Sequence, residues 1–135
     1  MNLGVSRARR QQKSAAGVPP AAEPVDLAHL RRFTLGDRHL EEEILGLFLA
    51  QVPITIAALK RAETDGAWYV AAHTLQGSAR AVGAGRLALL AAQAERLGGI
   101  SDPDACRMMV CMLEEAAQDA QAFVGSLKHK ARCTT

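Results

Sequence analysis

From residue 26 onward, apolar side chains recur every three or four positions, in five stretches set apart by glycine, proline or aspartate. That spacing is the signature of amphipathic helices, and strict alternation of the strand type is absent. Asp26 is a candidate cap for a short first helix with Leu27, Leu30 and Phe33 on one side, interrupted at Gly36. Asp37 caps a longer second helix. Glu41, Glu42 and Glu43 lie early in it, and Leu40, Ile44, Leu47, Phe48 and Gln51 form its stripe. Pro53 falls inside the pattern, but Ile54, Ala57, Ala58 and Lys60-Arg61 continue it, so a kink is expected there and not a stop. A third helix begins at Asp65-Gly66 and runs to about Val82, where Gly83 and Gly85 break it. The fourth spans about Ala84 to Leu97, turns Leu87, Leu90, Ala91, Ala94 and Leu97 inward, and ends at Gly98-Gly99. Asp102-Pro103 starts the last, whose stripe runs from Cys106 through Met109, Val110, Leu113, Ala117, Ala120 and Val124 to Leu127. Four substantial helices on short loops predict an all-α fold, an antiparallel four-helix bundle with a short additional N-terminal helix.

Composition agrees and narrows the class. Nearly half of the 135 residues are apolar, 49%, but only 4% are aromatic, so the core is built on alanine and leucine in closely packed helices. One domain is the expectation at this length. The net charge of +2 is unevenly spread. Arg7, Arg9, Arg10 and Lys13 crowd the start, and Lys128, Lys130 and Arg132 crowd the end. Between residues 25 and 127, nine basic residues face thirteen acidic ones, a net −4 that speaks against nucleic-acid binding. Residues 1–24 carry no apolar periodicity and end in Val18-Pro19-Pro20-Ala21-Ala22-Glu23-Pro24, which reads as a flexible basic, Pro/Ala-rich tail. The expected organisation is this tail, a bundle domain over 25–127, and a basic C-terminal tail over 128–135.

No apolar run of spanning length lacks charges, and the N-terminal segment has no signal-type apolar region, so a cytoplasmic protein that does not enter the membrane is expected. Cys106, Cys111 and Cys133 fit no zinc spacing and read as reduced thiols.

The third helix carries the candidate chemistry. At about 100° per residue, Trp68, Ala71, Leu75, Ala79 and Val82 share its core side. Tyr69, His73, Gln76, Gly77 and Arg80 share the opposite arc. A lone helical histidine is usually structural, but Gly77 stands one turn beyond His73 on the same face. A mid-helix glycine costs about 1 kcal/mol relative to alanine. Placed there, it removes bulk beside the imidazole and lets another protein bring a reacting group to the ring.

The run Ala71-Ala72-His73-Thr74-Leu75-Gln76-Gly77-Ser78-Ala79-Arg80, followed by Val82-Gly83-Ala84, Leu87, Leu90 and Leu97, closely resembles histidine-containing phosphotransfer (HPt) domains of two-component phosphorelays. The resemblance extends back through Phe33, Gly36-Asp37, Phe48, Pro53, Leu59 and Asp65 and covers roughly residues 26 to 127. It implies that His73 is the phosphoacceptor. Its neutral imidazole takes a phosphoryl group from a receiver-domain aspartate, holds it as phosphohistidine and passes it to another receiver. It implies no ATP-dependent kinase activity and no cofactor of the chain's own, with Mg²⁺ on the receiver only. The partners implied are receiver domains of response regulators and of hybrid histidine kinases, met by a monomer that binds neither nucleic acid nor membrane.

The chain departs from the family's commonest pattern at Gln76, where a lysine often stands. Arg80 can supply the missing charge from the same arc, and an ordinary solvated arginine fits the position equally well. Val70, Ala84, Leu27 and Leu30 are candidates for an apolar docking patch around His73, with core packing the competing explanation for the leucines. His29, His39 and His129 have no comparable surroundings. Two other readings compete with the relay: a helical adaptor that binds receiver or kinase domains without transfer, favoured by Gln76, and a metal-binding bundle, which lacks inward Glu/His pairs at the right spacing.

Overall fold

The computed structural model describes residues 23–134, with side chains through Lys128, and every regular element among them is helical. In chain order these are α1 (Leu27–Thr34), α2 (Arg38–Arg61), α3 (Asp65–Val82), α4 (Gly85–Leu97) and α5 (Pro103–Thr134). Every helix but α4, whose cap is Ala84, starts on a short polar side chain that meets a free N–H group of the first turn. Asp26 accepts from the His29 N–H, Asp37 from Leu40 and Asp102 from Ala105, each at 3.1 Å. The third cap is Thr64, one residue before Asp65-Gly66, with its hydroxyl 3.0 Å from the Ala67 N–H. α2 passes Pro53 without a break.

The four longer helices pack in a ring. α3 lies between α2 and α4, α5 closes the ring against α4 and α2, and α1 rests on α2 and α3. Trp68, Leu75, Leu87 and Leu113 fill the centre. A smaller cluster of Val25, Leu30, Leu45 and Val124 seats α1 over one end. The Asp26 N–H donates to the Gly83 carbonyl there at 2.8 Å. Glycine is required at 83 twice over: its φ is +83°, and a Cβ would lie 2.9 Å from the Asp26 carbonyl oxygen.

The expected stripe on α2 is rotated. Glu41, Leu45, Phe48, Val52, Ile56 and Leu59 are buried, whereas Leu40, Leu47 and Gln51 are exposed. An apolar run this dense offers more than one arc at helical spacing, and only contact with α3 and α5 selects one. Phe33 is likewise exposed, so Leu30 alone of its stripe is fully buried, and Leu97 lies at the rim of α4. By length and composition α2 is, among the described residues, the one helix that could cross a membrane, yet its buried side supplies a wall of the bundle core.

The helix α5 runs on to Thr134, past residue 127. The N-terminal arginines and Lys13 lie outside the described residues, as do the side chains of His129, Lys130, Arg132 and Cys133.

Candidate functional site

On its inner side, α3 is locked to α4 by Trp68, whose indole N–H donates to the Ala94 carbonyl at 2.7 Å. That bond fixes the register of the two helices and brings Glu95, the residue after Ala94, opposite His73. The His73 Nδ1 and the Glu95 Oε2 are 2.7 Å apart, with the imidazole 64% exposed and the carboxylate 23% exposed. An ionised carboxylate only accepts, so the pairing puts the proton on Nδ1 and leaves the lone pair on Nε2. Among the described residues nothing hydrogen-bonds Nε2. Tyr69, one turn earlier, stacks on the ring with centroids 5.7 Å apart and planes 9° from parallel. One turn later, a Cβ at Gly77 would meet only open space. The ring is therefore held on two sides and open on the third.

The structure keeps His73, Gly77 and Arg80 on the exposed arc, as expected, but not Gln76, which is 8% exposed. The correction has a simple cause. α3 has a neighbour on each side, so its buried arc is wider than one stripe and takes in Ala72 and Gln76 along the α4 edge. In the amide orientation that suits its neighbours, the Gln76 nitrogen donates to Glu95 Oε2 at 3.2 Å and its oxygen accepts from Arg80 Nη2 at 3.0 Å. Arg80, Gln76, Glu95 and His73 thus form one connected chain. Arg80 makes no ion pair among the described residues.

The expected docking patch shrinks on the same grounds. Val70 is exposed, but Ala84 and Leu30 are buried in the interior and Leu27 is half-buried, so packing accounts for those three.

A nucleophilic imidazole nitrogen on an open helix face, backed by a carboxylate that a buried amide links to a guanidinium, is equipped to accept a phosphoryl group. A family model, the Hpt domain, matches residues 43–123. The chain belongs to the Hpt domain family. No curated protein and no solved structure matches it. An Hpt domain is a helical bundle that takes part in phosphotransfer in two-component phosphorelays, as a phosphocarrier without kinase activity of its own, and interacts with receiver domains. In this Hpt domain the span of the match holds all four members of the polar chain.

Glu95 is the partner that sequence reasoning missed. A weak signal was there: Glu95 continues the Leu87, Ala91 series at i+4, a core-edge position where a carboxylate needs a partner. Nothing in the sequence pointed to His73 as that partner, because the two lie on different helices.

Proposed function

We propose that His73 is the phosphoacceptor of this Hpt domain and relays a phosphoryl group between receiver aspartates of a hybrid histidine kinase and a response regulator. The observation that carries the reading is the exposed imidazole whose Nδ1 is engaged by Glu95 while Nε2 stays free. The Nε2 lone pair attacks the phosphorus of an aspartyl phosphate. The N–P bond forms as the bond from phosphorus to the carboxyl oxygen breaks, and the aspartate leaves with that electron pair. The ring becomes cationic, and Glu95 offsets its charge through the shared Nδ1 proton. In the onward step a second receiver's carboxylate attacks phosphorus, and the N–P electrons return to Nε2. Mg²⁺ and most of the charge neutralisation belong to the receiver.

Gly77 leaves the notch through which the acyl phosphate approaches. Arg80 stands about 10 Å beyond His73 along the axis by helical rise, and its guanidinium reaches back one turn to the Gln76 amide. The reading takes residues 25–127 as the working unit, an antiparallel four-helix bundle acting as a cytoplasmic monomer.

Incubation with a receiver carrying a labelled aspartyl phosphate tests it. Label should move to the chain as an acid-labile, base-stable adduct and be absent from His73→Gln. Transfer to His73→Gln at the unaltered rate, or no transfer to the unaltered chain from any receiver, would falsify the assignment.

A further inference from the structure

We propose that Gln76 is a positioning residue: its buried amide couples Glu95 to Arg80, fixing the tautomer of His73 and the direction of the guanidinium together. This rests on the reading of His73 as phosphoacceptor. At 8% exposure the amide is not presented to an incoming phosphoryl group, so it does not stand in for a surface cation. Its neighbours define what it can do. Glu95 only accepts and Arg80 only donates, and the Gln76 amide answers both, donating at 3.2 Å and accepting at 3.0 Å. The same Glu95 oxygen accepts the hydrogen bond from His73 Nδ1, with the two atoms 2.7 Å apart, so whatever moves the carboxylate moves the tautomer.

Gln76 also keeps two charges apart. A direct ion pair between Arg80 and Glu95 would draw the carboxylate from the imidazole and use up the guanidinium. With the amide between them, Glu95 stays on His73 and Arg80 keeps its charge for the phosphoryl group. A lysine at 76 would donate to Glu95 in competition with His73. Adding a cation three residues after the histidine should therefore slow the relay in this chain.

The test uses the full chain with ¹⁵N-labelled histidine, in the unaltered protein and in Gln76→Lys and Gln76→Leu, with His73→Gln to assign the His73 signals. Long-range ¹⁵N–¹H spectra report the tautomer before any phosphorylation, and transfer from a phosphorylated receiver reports the rate. The unaltered chain should show the Nδ1–H form. Both Gln76 variants should shift toward Nε2–H and lose about ten-fold in rate, the scale of one charged hydrogen bond. Gln76→Leu, which keeps the side-chain bulk, decides the matter should the lysine variant fail to fold.

Faster transfer in Gln76→Lys, or an unchanged tautomer in the folded variants, overturns the role of Gln76 while leaving His73 in place. Failure to label the unaltered chain overturns the phosphoacceptor reading, and the relay role of Gln76 falls with it.

Discussion

Among the carboxylates that reach across to a cationic or ionisable partner on a neighbouring helix, Glu41 and Glu95 do different jobs. Glu41 on α2 meets Arg31 on α1, with Nε donating to Oε1 at 2.7 Å and Nη2 to Oε2 at 3.4 Å. Both carboxylate oxygens are engaged, the carboxylate is only 10% exposed, and hydrogen bonding to it pushes the Arg31 guanidinium up from its ordinary value, against the pull of partial burial. Glu95 meets His73 at the same 2.7 Å, but the histidine keeps one ring nitrogen unengaged on the solvent side. The first pair is closed and fastens α1 to the bundle. The second leaves a nucleophile uncovered. Distance does not separate the two; what remains unsatisfied after the contact does.

The sharpest way to break this contrast is Glu95→Ala. Losing the charged partner of the imidazole should slow phosphoryl transfer by ten- to a hundred-fold, about 1.5–3 kcal/mol in barrier, with little change in denaturant midpoint. Equal losses in stability and transfer would make Glu95 a structural group like Glu41. The mirror experiment is Arg31→Ala. It strands a nearly buried carboxylate and should cost about 2 kcal/mol of folding stability while transfer per folded molecule stays the same. A slowed transfer at full folding would show that α1 reaches the reaction.

Gly77→Ala sharpens the comparison from the opposite side. A methyl group there meets open space, so the isolated fold should gain about 0.5–1 kcal/mol in chemical denaturation, yet transfer should slow because the notch is partly filled. Gly125→Ala on α5, diagonally across from α3, is the control and should stabilise by a similar amount without affecting transfer.

The smallest effect concerns a group that neither pair involves. Burial pushes the Cys106 thiol up, helped by Asp102 and Asp65, and the thiol donates to the Gly99 carbonyl. Cys106 should therefore alkylate more slowly than exposed Cys111 in peptide-resolved mass spectrometry. Because the raised value lies in the folded state, the contribution to stability is intact below the ordinary thiol range and declines as pH rises through and above it. Faster alkylation of Cys106 would contradict the burial.

Much of this was legible in the chain. The caps at Asp26, Asp37 and Asp102, the glycine stops after α3 and α4, and the inward face of α4 are local signals, set by backbone hydrogen bonding and by spacing within one helix. His73, Gly77 and Arg80 share one arc for the same reason. The stripe of α2 was misplaced by one position because an apolar stretch with several possible faces is oriented only by its neighbours.

By itself, the sequence determined five helices, where each of them starts, and an exposed histidine followed one turn later by a glycine, because each depends on residues within a few positions of one another. Only the tertiary structure decided that Gln76 turns inward and that Glu95, on another helix, accepts a hydrogen bond from His73 Nδ1. The physical reason is that both depend on the packing of α3 against α4, which the Trp68 bond to the Ala94 carbonyl sets and helical periodicity does not encode.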